Sequence, residues 1–436
     1  MRISRTTNAC LLLAGALVVG CGDDDGNDDG TVIIDMDAST LDAGSDATTI
    51  DAARDAGHPS VDAGPNVLCS FTRSAVTSVA NGTVSADDPI ALSVRNDGAS
   101  LSWIDYDLGK RRLSTYWFGS DRVSLFSPLG DGGVITTQYE PGNVATSAGF
   151  LTVWSDDEAT GTQDPIVDVR AQGWGADGRP TAPQSTKLTT NGAATDEGTP
   201  VLASGADGNV LLVWQNGGLS NGTALLLDAT GAALGQPHTI PNFGPQSGQP
   251  VLAALNNRFV LAWADPVALR VHQIVLDATG SPVGNDVLVD VESNAAGTVD
   301  LATSAAGGAI VFDVLVAGSR PEVRFHAFDA SGVLTGSERV ITDYPGTGSS
   351  PSIVPLAAGY VVAYRSPKAP DMQLQLALVD SLGAVTGGIS VAPIVDKALP
   401  VALRIAPDGK QMFLSWMDRV SGTAAYNLQR TWVTCD

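Results

Sequence analysis

One short succession of residues recurs along most of this chain and limits the folds open to it. Between Gln249 and Gly284 the sequence reads QPVLAALNNRFVLAWADPVALRVHQIVLDATGSPVG. A proline-led apolar run (Val251 to Leu255) precedes a second run that ends on an aromatic (Phe259 to Trp263). A third run (Leu269 to Leu276) closes on an Asp-x-x-Gly turn (Asp277 to Gly280). Short apolar runs joined by tight turns make an antiparallel meander, because parallel strands need long crossovers. Aligned on the aromatic, the succession returns at Trp103, Trp154, Trp214, Trp263, Phe312, Tyr364 and Trp416, with spacings of 51, 60, 49, 49, 52 and 52 residues.

Seven units of about 50 residues, each with about four short strands, have the size of propeller blades. Leu211-Leu212-Val213-Trp214 and Val361-Val362-Ala363-Tyr364 are continuous apolar runs, which means both sheet faces are buried. A two-sheet sandwich would show alternation instead. The turns Asp228 to Gly231, Asp277 to Gly280, Asp329 to Gly332 and Asp380 to Gly383 follow the third runs. Aspartate caps such a reversal and glycine accepts its positive φ. Pro89, Pro200, Pro250, Pro351 and Pro400 are predicted to begin the first strand of their units, where a missing N–H costs least. The fold predicted is all-β, a seven-bladed β-propeller over residues 67–436.

The first 21 residues read differently. Arg2 and Arg5 precede an apolar stretch, Leu11 to Val19, and a small-residue site ends on Cys21. The stretch is too short for a stable membrane span, which needs about 20 residues. The pattern resembles the bacterial lipoprotein signal, and that resemblance implies acylation of Cys21 and a lipid anchor in the cell envelope, at the outer membrane. From Gly22 to Asn66 there are twelve aspartates against one arginine and no aromatic residue. Such a segment cannot bury enough surface to offset its ordering entropy, so it reads as a self-repelling tether. Asp23 to Asp29 lacks the closing glutamate of an EF-hand loop. Of the net charge of −23, the signal contributes +2, the tether −11 and the remainder −14. A field of that sign repels phosphate backbones, so nucleic acid is excluded as a partner.

With Cys10 in the signal and Cys21 acylated, Cys69 and Cys435 remain, one at each end of the repeat region. The last unit has three strands, Val401 to Ile405, Gln411 to Trp416 and Ala424 to Thr434. Leu68 to Val79 precedes the first complete unit without a partner. Placed as the outer strand of the seventh blade, Leu68 to Val79 removes an exposed edge and closes the ring. Cys69 and Cys435 then lie on adjacent strands, and an oxidising compartment favours their disulfide. The closed ring predicts a monomer.

The repeat unit resembles the tandem β-propeller repeats of bacterial secreted and surface proteins, including large calcium-dependent adhesins. Ala406 to Phe413 resembles, once, the Tol-type propeller repeat. Neither resemblance implies a catalytic set. The chain has no Gly-x-Ser-x-Gly elbow, phosphate loop or His-Glu-x-x-His. His238, His272 and His326 stand at unequal offsets from their aromatics and form no column. The tryptophans read as blade-to-blade packing rather than a carbohydrate-stacking stripe.

Loops after the second strand and those leading into each blade should gather on one face. They carry Asp105, Asp107, Asp156, Asp157, Glu158, Asp164, Asp265 and Asp418, together with Asp87, Asp88, Asp196 and Glu197. A carboxylate-rich face could hold calcium or a basic partner, or serve solubility. Lys110, Arg111 and Arg112 form the one dense basic run. The reading is a lipid-anchored envelope protein that presents a propeller loop face to a protein or glycan partner. The alternatives are a lyase or glycosidase that uses two loop carboxylates, and a structural component of an envelope complex.

Overall fold

The computed structural model describes residues 69–81, 84–85, 88–107, 110–119, 123–126, 137–158, 166–189, 197–217, 219–244, 248–265, 267–290, 295–316, 320–342, 348–367, 372–394, 400–420 and 425–435. Contacts divide the chain into Met1–Val61 and Asp62–Asp436, and every described residue belongs to the second unit. The signal, Cys21 and the whole tether fall on residues outside that description.

Seven antiparallel sheets follow one another along the chain. Blade 4 is typical, with Val251–Leu255, Arg258–Asp265, Arg270–Leu276 and Val287–Leu288 hydrogen-bonded in that order. The inner strands are Ala91–Arg95, Thr137–Ala145, Glu197–Ser204, Val251–Leu255, Ala295–Ser304, Ser349–Leu356 and Val401–Ile405. Each touches the next, and the seventh touches the first, so the blades stand round one axis. The fold is the seven-bladed propeller that the repeat predicts.

The repeat aromatic holds the blades together. Each sits on the second strand of its blade, at most 4 % exposed, and packs against the blade before it. Trp154 meets Ile104 and Leu113 of blade 1, and Trp214 meets Leu151, Val153 and Val169 of blade 2. Trp263 meets Leu211 and Val213, Phe312 meets Val260 and Ala262, and Tyr364 meets Val311 and Phe325. Trp416 meets Val361 and Ala363. The series closes on itself, because Trp103 of blade 1 packs with Phe413, Met417 and Leu428 of blade 7. Burial this complete rules out a sugar-stacking stripe.

The Asp-x-x-Gly turns serve the same contacts. Asp277 Oδ1 accepts the N–H groups of Thr279 and Ser281 at 2.8 and 3.0 Å. Gly280 has φ 90°, and a Cβ there would lie 2.7 Å from Leu211 of the preceding blade. Glycine therefore satisfies both the turn and the close approach.

The chain ends meet in blade 7. Phe71–Arg73 and Thr77–Asn81 both pair antiparallel with Tyr426–Cys435, in register Phe71 to Cys435 and Thr77 to Arg430. The sequence predicts a single outer strand. The structure divides it in two, because four steps from Arg73 to Thr77 oppose three from Val433 to Arg430, as in a bulge. Ser74 bridges the break: its N–H donates to the Trp432 carbonyl and its Oγ accepts the Trp432 N–H, each at 3.0 Å. Cys69 and Cys435 form a disulfide with Cα atoms 5.1 Å apart across 366 residues of sequence.

Two stability measurements test this. Closing so long a loop restricts the unfolded chain, so Cys69→Ser with Cys435→Ser should lower unfolding free energy by roughly 5 kcal/mol in urea titrations. Trp263→Ala should cost about 3–5 kcal/mol by the same assay, since the indole is wholly enclosed.

Candidate binding face

The strand order places two sets of segments on one face of the ring, here called the upper face. They are the starts of the inner strands and the links between second and third strands. Several of the acidic residues expected in these loops lie instead on strands, at the same end. Asp105 belongs to Gly98–Asp107, Asp156 and Asp157 to Gly149–Glu158, and Asp418 to Gln411–Arg419. Asp265 ends Arg258–Asp265.

Most are occupied by protein partners. Asp156 is buried and pairs with Arg170 at 3.1 Å. Asp105 is half-buried and accepts the Ser114 hydroxyl. Asp265 accepts the N–H groups of Val267 and Ala268, and Asp418 that of Arg419. Asp157 is half-buried, while the side chains of Glu158, Asp107, Glu197 and Lys110 fall outside the description. Asp87, Asp164 and Asp196 do so entirely. Asp105, Asp156, Asp265 and Asp418 thus stand on four different blades, the first, second, fourth and seventh.

Asp88 is also buried. It accepts the Ser85 hydroxyl at 2.7 Å and the Glu140 N–H at 3.1 Å, with Arg111 3.7 Å away. Arg111 in turn lies over the Tyr139 ring at 5.0 Å.

Those contacts belong to a pattern that the sequence does not reveal. In blades 2, 3 and 6 the residue before a proline has a left-handed backbone: Glu140 (φ 49°), Thr199 (φ 47°) and Ser350 (φ 52°). Each lies at a bulge of the inner strand, so Pro200 and Pro351 sit within that strand instead of beginning it. Proline has no N–H to lose at an unpaired bulge position. A left-handed non-glycine residue persists only where surrounding contacts determine it. Here a carboxylate from the preceding blade takes each exposed N–H. Asp88 accepts from Glu140, Glu140 accepts from Thr199, and Asp313 accepts from Ser350.

Two further side chains latch blades in the same way. Gln215 donates to the Gly248 carbonyl, and Arg365 donates to the carbonyls of Pro400 and Met417. The one advance signal is the x-Pro dipeptide at the start of every blade but the fifth.

The histidines are also engaged. His272 Nδ1 lies 2.7 Å from Asp286, and its ring stacks on Trp263 at 5.2 Å. Burial pulls the Asp286 carboxyl upward, but hydrogen bonds from Asn242 and His272 outweigh it and hold it below the usual range. His238 meets the Ser281 hydroxyl, and His326 meets the Val289 carbonyl. Among the described residues no group of three or more His, Cys, Asp or Glu is placed to hold a metal ion.

Asp313 is the titrating member of the latch set. Burial pushes its carboxyl from 3.8 up to about 6, against hydrogen bonds from the Thr298 and Ser350 N–H groups. It serves the fold from inside, being 5 % exposed.

No family model matches the chain, and no curated protein matches it in sequence. Solved structures with a related outline include the β-propeller domain of the trilobed protease from Pyrococcus furiosus. It is 8% identical, with 79% of this chain and 93% of that chain covered and a TM-score of 0.45. Polysaccharide lyase Uly1 is 10% identical over 80% of this chain and 91% of that one, with a TM-score of 0.47. A Trypanosoma rangeli sialidase mutant is 8% identical over 83% and 58%, also with a TM-score of 0.47. Likenesses this distant say nothing about the site.

Asp313 yields a pH prediction. A folded pKa above the unfolded one means that this group's contribution is full below about pH 3.8 and lost as pH rises through about 6. The shift corresponds to at most about 3 kcal/mol. The native chain should therefore lose up to that amount of stability between pH 4 and 7 in urea titrations, and Asp313→Asn, which cannot ionise and gives up one of the two acceptors for the Thr298 and Ser350 N–H groups, should lack that part of the pH dependence.

Proposed function

We propose that the protein is a lipid-anchored binding protein of the bacterial cell envelope, presenting its upper face to a protein or glycan partner. The chain would be acylated at Cys21, leave the outer membrane through the acidic segment 22–66, and carry the propeller at the far end. A ring that closes on itself fits a monomer.

One observation supports binding over catalysis: the Asp88, Glu140, Asp156 and Asp313 carboxylates are committed to backbone N–H groups or to Arg170. Groups that hold a scaffold rigid serve recognition, which gains from a preorganised surface. A glycosidase pair would instead need two carboxyl groups facing one bond across about 5–10 Å. With its carboxylates so engaged, the face is assigned a macromolecular partner rather than calcium.

The anchor and the face are tested separately. Cells fed an alkyne fatty acid should label the native protein and not Cys21→Ser, and the variant should move to the soluble fraction. Native protein that is soluble and unlabelled would remove the anchor. For the face, full-length protein on a glycan array and in envelope pull-downs should give a partner whose capture weakens on substitution of exposed upper-face residues. Equal capture by such variants would move the binding surface elsewhere.

A further inference from the structure

The upper face of blades 3 to 5 exposes aliphatic side chains on the links between second and third strands of blades 3 and 4 and at the matching strand end of blade 5. Leu219 joins Val210–Asn216 to Asn221–Leu227, and Val267 and Leu269 join Arg258–Asp265 to Arg270–Leu276. Leu315 lies near the end of Gly307–Val316. Their exposures are 47, 71, 41 and 43 %. Of the other exposed aliphatics, Leu234, Val283, Val333 and Val385 follow the Asp-x-x-Gly turns and Leu382 lies within one, on the opposite side of the ring.

The central link is built to stay in place. Asp265 Oδ1 accepts both the Val267 N–H at 2.8 Å and the Ala268 N–H at 2.9 Å, which fixes the turn. Leu269 then adopts φ 55°. A leucine in that region carries a backbone strain that glycine would avoid. Neither its strain nor its exposure serves the core. Asp265 Oδ2 takes no hydrogen bond from a described residue, so a carboxylate oxygen remains beside the aliphatic pair.

We infer that this patch docks a cationic amphipathic polypeptide segment, with its apolar side chains on Val267, Leu269 and their neighbours and its lysines or arginines at Asp265. The inference rests on the upper face being the binding surface. Aliphatic contacts suit a peptide better than a sugar, which stacks on aromatic rings, and the repeat aromatics are enclosed. The net charge of −14 beyond the tether complements a basic segment and repels anionic lipid head groups.

The test uses full-length protein and a fluorescent Lys/Leu peptide with helical apolar spacing, set against a scrambled isomer of the same composition. By anisotropy the amphipathic peptide should bind at least ~10-fold more tightly than its isomer, and Val267→Asp should reduce binding ~10-fold. Val333→Asp, on the opposite side, should leave binding unchanged. Leu269→Gly should raise the melting temperature while weakening the peptide, a pairing that a merely structural role would not produce.

Equal binding of the two isomers would overturn the proposal, as would native affinity in Val267→Asp. Uncharged phosphatidylcholine vesicles that retain native protein but not Val267→Asp would overturn it in favour of a lipid surface. A glycan hit that maps to the upper face alongside peptide failure would sink this inference and leave the broader reading standing.

Discussion

Everything in this ring depends on a contact that no blade can make alone. A sheet such as Arg258–Asp265 with its neighbours is apolar on both faces, and a lone copy would expose one of them. The aromatic at the end of each second strand covers the previous blade and is enclosed in doing so. Repetition therefore supplies a partner for six blades. The seventh needs the first, and Trp103 against Phe413 and Met417 is the contact that leaves no face open. An open row of the same units would end in bare hydrophobic surface.

A polar layer sits above that apolar one. Backbone N–H groups freed by the bulges at Glu140, Thr199 and Ser350 would be costly to leave unmade in a buried rim. Carboxylates of neighbouring blades satisfy them, so charge on this face is largely internal structure. A chain with a large negative net charge can thus have an upper face whose exposed features include aliphatic side chains. Rigid display follows from the same economy of partners, since a rim that is hydrogen-bonded blade to blade has little freedom to shift.

How much of this could be read from residues alone varies with distance along the chain. Blade number, the role of Trp263 and its equivalents, the Asp-x-x-Gly turns and the Cys69–Cys435 bond were legible, because each follows from local pattern or from the two ends of the repeat. The burial of Asp88 and Asp156 was not. An aspartate near a strand end reads as a loop residue until the partner is known, and Asp88 finds the Glu140 N–H 52 residues away. Left-handed Thr199 and Ser350 were equally hidden, since proline after them restricts the backbone without saying which of the remaining conformations it takes. Leu269 was absorbed into the third run, although the strand begins at Arg270. Only the hydrogen bonds of Asp265 show that the turn begins before it.

The union of the first and last strands also sets the order of events in time. Phe71–Arg73 pairs with a strand that ends at Cys435, so the circle closes only across the six blades that lie between them in sequence. The last step brings together segments more than 350 residues apart in sequence, the kind of long-range pairing that slows folding. The Cys69–Cys435 bond then clasps the one seam at which the circle could reopen.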